Sequence, residues 1–489
     1  MIKQKIYFSD FFNVPRNTIE NEGLFDISLL NDLPLFIDPF LIFCSEKPEY
    51  QKLHDDIIKY MIYLRDYAQK HPTVSRAMLA SKYIFPEVKQ TYLGFCEDGN
   101  GGNGLGVDFA TALHNGLNDI FSDFGAEKIT KSPHLEKLCL IKDRVGKDTI
   151  SDFTTNLIKG YLLELTESFA KKYIDSSLCR YFTNIPRVKF DYNIGVWKSG
   201  SYYLPFYNND FVLLTPSDLL VRRNTWINKD DLYNQVINLG ISLPDDVLRF
   251  QVNEYFSNML SQSPSKKDLL TAAKYTIQAF PQLIDHYIRS KEDDEQGALR
   301  RSIDAIGEIK QIYLDQLPHL VMLLKKETAF YDTPLNSFDE ALQRVLYLKH
   351  VIEHCDGYRM FYDKDTPIRR EVDLHIMYKL VCFDTLSDAN SEVNNGRGPV
   401  DFKLSNGRKD CTLVEFKLTR TLKKNLEKQV EIYKDANNTD KAIKVILYFT
   451  EEEEAKTFSI LNELGLTDKP GIVTIDARAD NKIQASKAK

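Results

Sequence analysis

The residues that could do chemistry gather toward the C-terminus, in "GRGPVDFKLSNGRKDCTLVEFKLTR" (396–420), where Asp401, Glu415 and Lys417 interrupt two otherwise apolar segments. A strand sends alternate side chains to opposite faces, so Val414, Phe416 and Leu418 share one face while Glu415, Lys417 and Thr419 share the other. The same alternation sets Val400, Phe402 and Leu404 opposite Asp401 and Lys403. Upstream, Arg369, Arg370, Glu371 and Asp373 open a helical stretch that leads into these strands, so a third carboxylate comes from a neighbouring element. Two or three carboxylates from adjacent elements make a hard oxygen site suited to Mg²⁺ or Mn²⁺, and a lysine beside them can position or deprotonate a water. A cation held there neutralises the charge that develops as a phosphodiester breaks, which is nuclease chemistry. The plain alternative is an edge hairpin with one solvated polar face, common in antiparallel sheets.

The elements that must position these residues are legible as helix, strands, helix, strand. "PIRREVDLHIMYKLV" predicts a helix with Pro367 in its first turn and Val372, Met377, Leu380 and Val381 on one apolar face. "PVDFKL" and "CTLVEFKLT" predict two strands joined by "SNGRKD", and "TLKKNLEKQVEIYKDAN" a helix on which Gln429 and Tyr433, four apart, share a face. "AIKVILYFT" and "GIVTID" read as further strands, with a helix between them near Glu451 to Leu464 and a polar tail, "NKIQASKAK", at the end. Register sharpens the expectation. A two-residue turn at Asn406-Gly407 would pair Asp401 with Thr412 and leave Glu415 three residues, about 10 Å, further along the strand. Ligands of one metal cannot sit that far apart, so the metal reading requires a longer loop that brings Asp401 nearly level with Val414 or Glu415.

The order Glu371 on a helix, Asp401 on a strand, Glu415-x-Lys417 on the next strand, then Gln429-x-x-x-Tyr433 on a helix resembles the PD-(D/E)xK nuclease superfamily, over about Thr366 to Asp476. The resemblance implies an α-β-β-β-α-β core in which Asp401 and Glu415 bind the divalent metal with help from the Phe416 carbonyl. It implies that Lys417 holds the attacking water and that Glu371 is an accessory metal or water ligand. The Gln-x-x-x-Tyr helix is similar to that of the branch containing helicase-associated exonucleases, where it contacts the substrate strand, which casts Gln429 as catalytic and Tyr433 as a nucleic-acid contact. The proline motif departs slightly, reading Pro399-Val400-Asp401, and the iron–sulfur cysteines of some relatives are absent. Arg397 in "NNGRGP", with Arg420, Lys423 and Lys424 beyond the second strand, are candidates for phosphate contact, set against an ordinary solvated basic helix start.

Two other motifs compete. "HVIEH", His350 to His354, fits the inverted zincin pattern H-x-x-E-H and would support a zinc peptidase; the plain reading is a helix C-terminus with His354 near the dipole and Gly357 close to the stop. "GNGGNG", Gly99 to Gly104, satisfies G-x-G-x-x-G, but the segment before it is short and polar at its end, so a loop is expected. Asp26, Asp32 and Asp38 read first as turn signals, and no P-loop motif is present.

A chain of 489 residues exceeds one compact core. Residues 1–240 read as an α+β region rich in Tyr and Phe, 241–350 as a helical middle with "SKEDDEQG" (290–297) as a loop or linker, and 351–489 as the nuclease-like domain. In the first region "SDFTTNLIKGYLLELTESFAKKYI" predicts a helix opening on a Ser/Asp cap. The fold class expected is therefore α+β and multidomain, with a C-terminal α/β restriction-endonuclease-like core. No apolar run approaches the roughly 20 residues a membrane helix needs, and no secretory h-region opens the chain, which places it in the cytoplasm. Seven scattered cysteines without a C-x-x-C pair read as reduced thiols. The net charge of −7 argues against a protein that coats nucleic acid, yet 366–441 carries 14 Lys+Arg against 12 Asp+Glu, so charge shifts toward the candidate site. The function expected is Mg²⁺- or Mn²⁺-dependent phosphodiester hydrolysis, of DNA rather than RNA, in a bacterial restriction or antiphage defence effector. Its other region would then sense, regulate, self-associate, or bind nucleic acid or a partner protein. The alternatives are an inactive nuclease fold that binds nucleic acid or assembles, and the zinc peptidase.

Overall fold

A computed structural model describes residues 6–482 except 30–31, 95–104, 120–123, 138–139, 141–146, 223, 239–240, 242, 244, 317–318, 320, 323–329, 331–335, 364–365, 368–370, 383–387, 395–398, 407–409, 420–421, 423–438 and 468. The described residues up to Ile306 form one compact unit and those from Gly307 onward a second.

The first unit is mixed α and β. Its long helix α1 (Pro48–Lys70) buries Tyr50, His54, Ile57, Tyr60, Met61, Leu64 and Ala68, the three- and four-residue spacing of one apolar stripe. Helices α2 (Lys147–Leu157) and α3 (Lys159–Tyr173) follow, parted at Ile158. The expected Ser/Asp cap is not a cap: Ser151 lies inside α2, where its hydroxyl accepts the Ile37 N–H at 2.9 Å. Strands β1 (Cys179–Asp191) and β2 (Val196–Tyr207) make a long antiparallel hairpin, extended by the short β3 (Asp210–Phe211). Its further helices include α4 (Asp246–Asn258), α5 (Lys266–Ala279), α6 (Gln282–Glu292) and α7 (Glu295–Ile309), the last running three residues past Ile306. "SKEDDEQG" is helical except at Asp293–Asp294. The charge there has a packing role, since Glu292 is fully buried and accepts the Lys131 and Ser132 N–H groups. The stretch grouped as a helical middle is thus shared: its helices up to Ile306 belong to the first unit, and Ser337–His354 to the second.

In the second unit α8 (Ser337–His354) is capped by Asn336, whose side chain accepts the Phe338 and Asp339 N–H groups. Helix α9 (Glu371–Val381) buries Met377, Leu380 and Val381 as the periodicity predicts. Pro367, however, lies outside it, in a two-residue strand where it pairs with Tyr362. Strands β4 (Asp388–Asn394), β5 (Pro399–Ser405), β6 (Cys411–Leu418), β7 (Ala442–Tyr448) and β8 (Ile472–Asp476) form a five-stranded mixed sheet in the order β8-β7-β6-β5-β4, with α10 (Glu451–Glu463) between β7 and β8. The first three strands are antiparallel neighbours, while β6, β7 and β8 run parallel.

Strand β6 is therefore central and is buried along nearly its whole length, which rules out a solvated edge hairpin. On one face Tyr378 of α9 meets Phe402 and Phe416 with ring centroids 5.0 and 5.3 Å apart. Both phenylalanines are almost fully buried, and truncating either to alanine costs about 3–5 kcal/mol. On the other face Leu422, Ile446, Ile460 and Leu461 form a cluster under α10. Among the described residues no helix is long and apolar enough to cross a membrane, and the five described cysteines are free.

Candidate metal centre

The site is built by the way β5 leaves β6. Their pairing starts at Ser405 with Cys411 and ends at Phe402 with Val414, so the next step of the same register sets Asp401 opposite Glu415. The connection is longer than two residues: Asn406 N–H donates to Asp410 O at 2.8 Å, closing a loop over 406–410. That is the register the metal reading requires. Beyond Phe402, β5 stays paired with β4 as far as Pro399 but no longer with β6. The β6 N–H groups so released are taken by carboxylates. Phe416 N–H donates to Asp401 Oδ2 at 2.6 Å, and Leu418 N–H to Glu371 Oε1 at 3.3 Å.

Three carboxylates from three elements thus converge on one ammonium. Lys417 Nζ stands 3.3 Å from Glu415 Oε1 and 3.8 Å from both Asp401 Oδ2 and Glu371 Oε2. Glu371 is the first residue of α9, where the positive end of the helix dipole favours a carboxylate. One turn later His375 presents Nε2 at 3.5 Å from Asp401 Oδ2, and this buried nitrogen has no hydrogen-bond partner. Its ring is fixed between Phe402 and Phe416, at 5.6 and 5.4 Å. Across the sheet Lys444 of β7 pairs in register with Glu415 and is itself buried.

The electrostatics follow from burial and these neighbours. Burial works to raise the Asp401 carboxyl, but His375, Lys417 and the Phe416 N–H outweigh it and hold it below the ordinary value. Glu415 goes the other way: burial, aided by the charge of Asp401, lifts it above the ordinary value in spite of Lys417 and Lys444. Burial would depress Lys417, yet Asp401, Glu415 and Glu371 together raise it, so it is an ammonium at neutral pH. It can donate hydrogen bonds to a water or a phosphate oxygen; it is not free to take a proton. Carboxylate oxygens from three elements are donors of the kind a hard divalent cation takes, and the His375 nitrogen beside Asp401 is a borderline donor. Their spacing in this structure is that of groups sharing an ammonium, and among the described residues no group of three or more His, Cys, Asp or Glu side chains is arranged to hold a metal.

Of the residues singled out in the sequence, Glu371, Asp401, Glu415 and Lys417 come together. Arg369, Arg370, Arg397, Arg420, Lys423, Lys424, Gln429 and Tyr433 lie outside the described residues, as does Gly99 to Gly104. Two residues of the cluster escape a reading centred on 396–420. His375 is signalled by its four-residue spacing from Glu371, which sets both on one helix face. Lys444 carries the same signal as Lys417, a charge inside an apolar strand, in "AIKVILYFT". His350 and His354 share a face at the end of α8, with rings 5.2 Å apart, and Glu353 between them accepts the Asp476 N–H at 2.8 Å, tying α8 to β8. Asp38 does cap a turn, accepting the Phe40 N–H at 3.0 Å.

Two family profiles match the chain, and each is described as a domain of unknown function: DUF8370 over residues 13–228 and DUF8371 over residues 337–451. The second match contains Glu371, His375, Asp401, Glu415, Lys417 and Lys444; the first contains the β1–β2 hairpin. No curated protein and no solved structure matches the chain.

Proposed function

We propose that the second unit is a metal-dependent nuclease of the PD-(D/E)xK type, with a restriction-endonuclease-like core, that hydrolyses phosphodiester bonds of DNA. What supports this reading is one observation above the others: Asp401, just past the last β5–β6 pair of Phe402 with Val414, stands with Glu415 and Glu371 around Lys417, 3.8, 3.3 and 3.8 Å from its Nζ. Asp401 and Glu415, completed by Glu371 or His375, would hold Mg²⁺ or Mn²⁺, and the bound cation would neutralise charge on the phosphoryl oxygens. The Phe416 N–H orients Asp401, and the aromatic packing around His375 fixes the helix that carries Glu371. Lys417, an ammonium, would orient the attacking water. As water's oxygen bonds to phosphorus the P–O3′ bond would break, with the water's proton passing to bulk solvent and solvent protonating the departing O3′, to leave a 5′-phosphate and a 3′-hydroxyl.

The test is incubation with linear, circular and single-stranded DNA and with RNA, with and without Mg²⁺ or Mn²⁺. Asp401→Ala and Lys417→Ala should abolish a metal-dependent cleavage that the unaltered protein shows. Cleavage by both variants at the unaltered rate would overturn the assignment. By analogy alone, a nuclease unit joined to a unit of this size suits a restriction or antiphage effector; protection of cells against phage, lost in Lys417→Ala, is the corresponding assay.

A further inference from the structure

The tip of the β1–β2 hairpin packs on α1 and gathers lysines among tyrosines. Lys59 Nζ lies 4.5 Å from the Tyr192 ring centroid, and Lys82 Nζ lies 4.9 and 5.4 Å from those of Tyr67 and Tyr63 while donating to Gly195 O at 2.6 Å. Tyr63 and Tyr67, four apart on α1, stack with centroids 6.3 Å apart and 23° between planes, and Tyr192 meets Tyr63 edge-on at 5.9 Å. All three tyrosines are only half-buried. On the strands, Lys189 and Lys198 oppose each other in register, and both are exposed. Like charges set directly opposite across a ladder destabilise it. Lys198 has Asp191 at 2.5 Å, whereas Lys189 has no carboxylate partner among the described residues. The turn itself leaves Ile194 65% and Val196 44% exposed.

The hairpin, 179–207, holds four Lys and Arg against the single Asp191, a net +3 in a chain of net −7, with Lys189 and Lys198 toward the tip and Arg180 at the far end. Asp55 and Asp56 of α1 lie beside Lys59 and Tyr192, and Asp66, paired with Arg65, lies between Tyr63 and Tyr67. Half-exposed aromatic rings interleaved with ammonium groups are the arrangement that holds a nucleic-acid single strand, the rings stacking on bases and the lysines meeting phosphates. Cation–π contact keeps Lys59 and Lys82 in place beforehand. We propose that this hairpin tip is a binding site for single-stranded DNA, carried by the first unit and separate from the residues of the candidate metal centre. It rests on the nuclease reading only for the choice of DNA as the ligand.

The test is fluorescence anisotropy of the full chain with a short labelled single strand and the matching duplex, in EDTA so that nothing is cut. Removing two phosphate contacts with Lys59→Gln/Lys189→Gln should weaken single-strand binding about tenfold at moderate salt and flatten the slope of log K against log salt by about 1.4. Tyr67→Ala should weaken it about tenfold, and Tyr67→Phe, which keeps the ring, should restore it. Lys266→Gln/Lys267→Gln removes the same charge from exposed positions on α5 and should leave binding within about twofold. The proposal is overturned if the hairpin pair binds like the α5 pair, or if Tyr67→Ala has no effect. Cleavage with no tip binding would sink this proposal alone; tip binding with no cleavage would sink the nuclease reading alone.

Discussion

Lys417→Met removes the ammonium that, among the described residues, pairs with all three carboxylates of the centre. At an effective dielectric near 20, a charge pair at this separation is worth about 4 kcal/mol before desolvation is counted. Breaking a buried pair by deleting one partner costs about 3–5 kcal/mol. Lys417 is 13% exposed but Glu371 is 31% exposed, and solvent screening at Glu371 brings the expected loss to about 2–3 kcal/mol. A unit of this size gives up roughly 2–4 °C of Tm per kcal/mol, so the second unit should melt about 5–10 °C earlier at neutral pH. The pH dependence has a definite sign. The raised lysine pKa means its stabilisation is fully present below the ordinary value of 10.5 and is lost only as pH climbs through the raised one. On the acid side the variant's deficit should shrink, because Glu415, already lifted above 4.5, takes up the proton that replaces the missing ammonium. Mg²⁺ should return what the substitution removed: a cation at a hundredfold its Kd stabilises the folded form by about 2.7 kcal/mol. Thermal melts followed by circular dichroism, near neutral pH and near pH 5, with and without Mg²⁺, measure all three effects. If Lys417→Met melts with the unaltered protein in EDTA and Mg²⁺ shifts neither, the three carboxylates are not an electrostatic unit.

Asp401→Asn keeps an acceptor for the Phe416 N–H but removes the negative charge and one carboxylate oxygen; calorimetric Mn²⁺ binding should weaken at least about tenfold while Tm moves by less than about 3 °C. Metal-dependent cleavage should rise with pH through a midpoint above the ordinary Glu value of 4.5, because Glu415 must ionise to ligate; a rate profile flat across that range would contradict its role. His375→Ala should lower metal affinity about 10–100-fold, and since it also empties space between Phe402 and Phe416, His375→Asn serves as the milder comparison in the same titration.

Much of this centre was legible because strand periodicity is strict. A period of two fixes which residues share a face, and the expectation that "SNGRKD" is longer than a two-residue turn agrees with the pairing of Ser405 with Cys411. What was not legible is equally physical. "DANSEVN" has no apolar alternation, yet it forms β4, because an edge strand is paired on one side only and needs no buried face to stay in the sheet. Pro367 suggested a helix start, but a short pairing with Tyr362 captured it. "SKEDDEQG" looked like a linker because charge usually marks solvent, and Glu292 shows charge answering backbone donors instead.

The same reasoning explains why β6 tolerates charge at all. A central strand buries both faces, so each carboxylate on it must find a counter-charge or a donor. Glu415 has Lys417 beside it on its own strand and Lys444 beside it on the next, while Asp401 and Glu371 answer the two N–H groups that β5 abandons. Three carboxylates stand against the two lysines of the cluster. A sheet stabilised only for packing would fill these positions with valine or leucine, at less risk and with the ladder intact. On the nuclease reading, the splayed strand and the charge crowded on it are costs that a bound divalent cation would offset.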